Sequence, residues 1–120
     1  MKKIGVVGSR RRDSAKDWDL VEKAVLDVYE RGDWLVSGGC PRGADNFAEK
    51  IAYRHGMRIA IYNAWWNGPD GKRAGFVRNG DIAKSSDVLI ACVAPDRMGG
   101  TEDTVRKFQK AHPEGKLILV

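Results

Sequence analysis

The sequence predicts an α/β protein built around a mainly parallel sheet of about five strands. Short apolar runs recur along the chain, and each is continuous rather than alternating, the mark of strands buried on both faces. Segments with helical spacing lie between them, so strand and helix alternate from end to end. The segments that leave the strands are rich in glycine and arginine, which points to something held at one edge of the sheet.

The first run, "IGVVG" (4–8), predicts the opening strand, and Val21, Ala24, Val25 and Val28 form the stripe of a first helix. "WLVSG" (34–38) predicts the second strand. Ala44, Phe47, Ala48, Ile51 and Ala52 give the helix after it a cleaner stripe. A third strand is expected in "RIAIYNA" (58–64), followed by a helix over 73–85 despite Gly75 and Gly80. "DVLIACVA" (87–94), a helix over 102–112 carrying Val105 and Phe108, and "KLILV" (116–120) complete the series. No internal repeat, low-complexity tract or linker interrupts it, so residues 1–120 are expected to form a single domain with right-handed crossovers.

Composition narrows the function classes. The chain has 120 residues, 42% of them hydrophobic, enough for an ordinary core. Charges of both signs are interspersed, which argues against disorder, and the net charge of +5 favours an anionic partner. No stretch approaches the roughly 18 apolar residues of a membrane span, so no membrane partner is expected. The start, "MKKIGVVGSRRRD", has too short an apolar run for a signal peptide. Cys40 and Cys92 make no disulfide framework, and a cytoplasmic setting is expected. With only His55 and His112 besides, neither a metal nor a resident cofactor is expected.

The segments after the first four strands read "GSRRRD", "GGCPRGAD", "NAWWNGPDGKRAG" and "APDRMGGTED". In an open α/β sheet they share the edge beyond the carboxyl ends of the strands, where ligands bind. Arg10, Arg11, Arg12, Arg42, Lys72, Arg73, Arg78 and Arg97 belong to or adjoin that edge. A phosphate-bearing small molecule accounts for both features, since glycines let backbone N–H groups approach its oxygens and arginines add paired donors.

Gly8 and Ser9 are expected to contact phosphate, the plainer alternative being a tight turn out of the strand. Gly38, Gly39 and Gly43 serve either anion cradling or close helix–sheet packing. Asp45 is a hydroxyl binder, on a ribose for instance, or only a first-turn charge favoured by the helix dipole. Gly99, Gly100 and Thr101 open the last helix, where Thr101 is a natural N-cap. Trp65 and Trp66 are candidates for stacking on a base, although aromatics beside a strand more often pack. Cys40 reads better as a small residue in a glycine turn than as a nucleophile, with no histidine nearby in the sequence.

The G-x-G-x-x-G and G-x-x-x-x-G-K-[ST] phosphate motifs are missing. Taken together, "GSRRRD", "VSGGCPRGAD", "AWWNGPDGKRAGFVRNGDIAKSSDVLIA" and "GGTEDTVR" resemble the small YspA-like members of the SLOG superfamily. That superfamily includes the DNA-processing DprA/Smf proteins and the "lonely guy" phosphoribohydrolases, and the resemblance runs from about residue 3 to residue 110. It implies a Rossmann-like, three-layer domain that binds nucleotides or their derivatives at the strand edge. Matched by motif, Gly8, Ser9 and Arg10 line the site from the first strand, and Gly38, Gly39, Gly43 and Asp45 from the second, with Arg42 of the same segment also expected to bind the ligand. Arg78 and Asn79 stand where the related enzymes place a substrate-contacting arginine. Gly99, Gly100 and Thr101 match the phosphate-binding turn.

One departure bears on activity. The phosphoribohydrolases read P-G-G-x-G-T-x-x-E and use the final glutamate in catalysis, whereas this chain reads "MGGTEDT" with Thr104 three places after Thr101. Glu102 and Asp103 point about 100° and 200° away from Thr101 on a helix, so neither simply replaces that glutamate. The expectation is therefore a ligand-sensing or sequestering module for a nucleotide-like compound. The alternative is a nucleoside monophosphate N-glycosidase, with Glu102 and then Asp45 as its candidate catalytic residues. Single-stranded nucleic-acid binding stands third. The resemblance further implies a homodimer or higher homo-oligomer.

Overall fold

A computed structural model describes residues 1–120 and places five strands in one sheet, in the order β3-β2-β1-β4-β5. These are β1 (Lys3–Gly8), β2 (Trp34–Ser37), β3 (Arg58–Ile61), β4 (Val88–Cys92) and β5 (Lys116–Leu119). Every pairing is parallel, so the sheet is wholly rather than mainly parallel. The helices are α1 (Ala15–Val28), α2 (Ala44–His55), α3 (Ala74–Ser85) and α4 (Gly100–Ala111), with one 3-10 turn over Gly71–Arg73 leading into α3.

Alternation along each central strand divides the core between the two faces of the sheet. Ile4, Val6, Leu35, Val88, Ile90 and Cys92 pack against α1 and α2. Val7, Val36, Leu89 and Ala91 pack against Ile82, Ala83, Val105 and Phe108 of α3 and α4. The α1–α2 layer is tied by an edge-on contact between Trp18 and Phe47, with ring centroids 5.5 Å apart. Three layers result, as the sequence predicts.

Differences lie at the element ends. β3 and β5 are half-buried or exposed along their length, because they form the two edges of the sheet and the helices cover mainly its centre. β3 ends at Ile61 and β4 at Cys92, each short of its apolar run. α4 begins two residues earlier than the pattern of apolar residues suggests.

Helix starts differ in a way that bears on the site. Ser14 caps α1 in a reciprocal box: its hydroxyl accepts from the Asp17 N–H at 3.1 Å, and the Asp17 carboxylate accepts from Ser14. The caps of α2 and α4 are Gly43 (φ 73°) and Gly99 (φ 112°), and neither helix start has a side-chain capping bond. Thr101 is thus not the N-cap of α4; it lies inside the first turn, and the cap position is a glycine at positive φ.

Candidate functional site

The strand order reverses direction between β1 and β4, the boundary at which open α/β sheets hold ligands. A cleft of about 360 Å³ opens there, at the carboxyl ends of the strands. Val7 and Ile82 form apolar parts of its lining, and Gly8, Ser9, Arg10 and Arg11 bring in the segment leaving β1. Met98, Gly99, Gly100, Thr101 and Thr104 bring in the start of α4, while Cys40, Asp45, Arg78 and Asn79 complete the lining.

Gly8 is dictated by space. A Cβ there would stand 2.7 Å from Ala44 Cβ and 2.8 Å from Cys92 Cβ, so only glycine lets β1 leave between β4 and the start of α2. The next amide, Ser9 N–H, donates to the Cys92 carbonyl at 2.9 Å and extends the strand pairing into the site. Ser9 Oγ accepts from the Arg11 N–H at 3.2 Å. Arg12 turns away from the cleft: it donates to Asp17 at 3.0 Å, to the Val93 carbonyl at 3.0 Å and to the Val120 carbonyl.

At the opposite wall, the start of α4 is held by Asn79, which is buried. Its Nδ2 donates to the Gly100 carbonyl at 3.3 Å and to Asp103 Oδ2 at 3.1 Å. Asn79 Oδ1 accepts from Arg78 Nε at 3.1 Å. The loop between β4 and α4 is pinned by two paired contacts, Arg11 on Asp96 (3.0 and 2.7 Å) and Arg97 on Glu102 (2.8 and 2.9 Å). Both carboxylates are committed to arginines.

Asp45 is the ionisable group set deepest in the cleft, 8% exposed. Burial pushes its carboxyl up to about 6, against the opposing pull of the Cys40 N–H (3.1 Å from Oδ2) and the nearby Arg78 charge. Glu49, one turn along α2, adds to the upward push. The arrangement sets a carboxyl able to change its proton near neutral pH beside arginine side chains and an uncapped helix start. It suits an anion that also carries hydrogen-bonding groups.

The expected site residues divide clearly. Gly8, Ser9, Arg10, Asp45, Arg78, Asn79, Gly99, Gly100 and Thr101 converge on the cleft. Gly38, Gly39, Arg42 and Gly43 do not line it. Gly39 (φ 74°) turns the chain beside Ile61 and Asn63, and Gly43 is pressed to the Ser9 carbonyl, which a Cβ would approach to 2.7 Å. Gly43 N–H donates to Asp13 Oδ1 at 2.9 Å, so the protein itself occupies that donor. Glu102 is turned onto Arg97 rather than into the cleft.

Trp65 and Trp66 also stay outside the lining, 68% and 57% exposed. Trp65 covers the turn at Gly68, and Trp66 lies over Gly75 at the start of α3. Sequence reasoning passed over Met98 and Thr104, and preferred a turn-packing role for Cys40. Thr104 was findable: it lies one helical turn after Gly100, and its Oγ1 donates to that carbonyl at 3.3 Å. No group of three or more histidine, cysteine, aspartate or glutamate side chains is placed to hold a metal ion, and no helix is long and apolar enough to cross a membrane.

No family model matches the chain. Its fold is similar to that of a solved structure, the molybdenum cofactor binding protein from the phototrophic bacterium Rippkaea orientalis. The TM-score is 0.71 at 24% identity, covering 98% of this chain and 75% of that one, a likeness that shows the Rossmann-like fold. In sequence it is 31% identical to the gene 61 protein of Mycobacterium phage D29, over 124 aligned positions that take in 92% of this chain and 91% of that protein. With that identity across nearly all of both proteins, the chain belongs to the family of the phage D29 gene 61 protein.

Proposed function

We propose that this protein binds a nucleotide or a nucleotide-derived phosphate compound in the cleft, as a sensing or sequestering module. The observation that carries this is the start of α4. Gly99 leaves the first amides of the helix without a side-chain cap, and Gly99, Gly100 and Thr101 line, together with Ser9 and Arg10, an open cleft at the switch point of the sheet. A phosphate there meets helix N–H groups, the Ser9 and Thr101 hydroxyls and the Arg10 guanidinium. The chain is then a member of the SLOG superfamily, one nucleotide-binding domain over residues 1–120, cytoplasmic and self-associating. The similar fold of a protein named for binding a cofactor accords with a ligand-holding role.

Isothermal titration with a panel of ribonucleoside 5′-monophosphates, cyclic dinucleotides and ADP-ribose tests this directly. At least one compound is expected to bind, and Thr101→Glu, which sets a carboxylate at the helix start, is expected to abolish that binding. Failure of every compound, or equal binding by the variant, overturns the proposal.

The raised pKa of Asp45 favours a second function, hydrolysis of the N-glycosidic bond with Asp45 rather than Glu102 as the acid–base group. Proton NMR separates the two. Release of free base that Asp45→Asn abolishes means hydrolysis, whereas unchanged ligand signals mean binding alone.

A further inference from the structure

Gly38 is the starting point. Its φ lies outside the left-handed region, so backbone conformation does not require glycine there. Space does. A Cβ at Gly38 would stand 2.7 Å from Arg78 Nη1 and 2.9 Å from Asp45 Oδ2. Two opposite charges thus meet over a glycine, one from α3 and one from α2, and both line the cleft.

They do not pair, since no Arg78 nitrogen comes within 4.0 Å of an Asp45 oxygen. Each is held by backbone instead. Arg78 Nη1 donates to the Gly38 carbonyl at 2.5 Å, and Asp45 Oδ2 accepts from the Cys40 N–H at 3.1 Å. Arg78 is further steadied through Nε on Asn79, and the Asp45 backbone carbonyl accepts from Ser37 Oγ at 3.1 Å. A donor and an acceptor are therefore fixed on either side of a gap wider than a direct ion pair and narrower than their combined reach over Gly38.

One oxygen about 2.8 Å from each partner, with an ordinary tetrahedral angle between the two bonds, spans such a gap. It must accept from the guanidinium and donate to the carboxylate, and a hydroxyl does both with a single atom. Once Asp45 is ionised, above a pH of about 6, charge keeps a phosphate oxygen from its side.

We propose that Arg78 and Asp45, kept apart over Gly38, are a hydroxyl-reading pair that selects a ribonucleotide over its deoxy analogue. This rests on the nucleotide function proposed above and assigns the two ends of the cleft. The α4 start takes the phosphate, and the Arg78–Asp45 end takes a sugar hydroxyl. Arg78 is then a specificity-determining residue rather than a phosphate clamp.

The test uses the whole chain and titrates AMP, GMP, CMP and UMP, then the 2′-deoxy and 3′-deoxy forms of whichever binds. One deoxy form is expected to bind about 10- to 100-fold more weakly, the worth of a hydrogen bond to charged groups. In Asp45→Ala that ratio is expected to collapse towards one. Gly38→Ala, checked for folding by circular dichroism, is expected to lose the ribonucleotide preference in the same way. Binding of all three forms within about threefold in the unaltered protein overturns the inference and leaves the phosphate site standing, as does a ratio unchanged in Asp45→Ala. No binding by any of the four monophosphates overturns the inference, and the nucleotide function falls with it only when cyclic dinucleotides and ADP-ribose also fail to bind.

Discussion

Asp45→Asn is expected to make the free protein more stable at alkaline pH and to leave it unchanged in acid. Burial raises the Asp45 carboxyl to about 6 from its ordinary 3.8. The folded protein therefore holds that proton more tightly than the unfolded chain does, and stability falls as pH rises from about 4 through 6. Once the group is ionised, the difference amounts to about 2–3 kcal/mol. Asparagine has nearly the same shape and keeps an oxygen for the Cys40 N–H, so the substitution removes little but the charge. Urea denaturation of both proteins at pH 4 and pH 8 measures it. The variant should be more stable by about 2–3 kcal/mol at pH 8 and equal at pH 4. A variant less stable at pH 8, or a gap of the same size at both pH values, refutes the assignment of Asp45 as a charge held against its own burial.

Other substitutions test other parts of the structure. Asp33→Asn is expected to cost about 1–2 kcal/mol at pH 7, read by urea denaturation. Burial raises the Asp33 carboxyl, but hydrogen bonds from Lys2 Nζ and N–H and from Glu30 N–H outweigh it and leave it at about 2. The cost should therefore shrink as pH falls from 4 towards 2. Phe108→Ala, at a fully buried position between α4 and the sheet, is expected to cost about 3–5 kcal/mol in the same assay. Glu102→Gln breaks only a partly exposed pair with Arg97. It should shift stability by less than about 1 kcal/mol and should not weaken ligand affinity in a titration.

Much of the fold was legible because β1, β2 and β4 are buried on both faces and their sequences are continuously apolar. β3 and β5 read the same way, yet they are sheet edges, a distinction set by strand order that no local pattern records. The start of α4 was missed because a glycine at φ 112° makes it, while the apolar stripe begins only at Val105. At the site, the sequence marked the right loops. It could not say what each glycine makes room for: Gly38 clears Arg78 and Asp45, and Gly43 clears the Ser9 carbonyl. Nor does spacing reveal which way a first-turn carboxylate faces. Glu102 lies five residues after Arg97, and Arg97 at φ 55° sets the loop that brings them together.

The most direct test of the central claim is a ¹⁵N–¹H NMR titration of the protein with ribonucleoside 5′-monophosphates. A phosphate cradled by the start of α4 and the exit of β1 predicts shifts concentrated in the amides of Gly8, Ser9 and Arg10 and of Gly99, Gly100 and Thr101. Smaller shifts should reach Asp45 and Arg78. No shift with any nucleotide, or shifts confined to the region of Trp65 and Trp66, would contradict it.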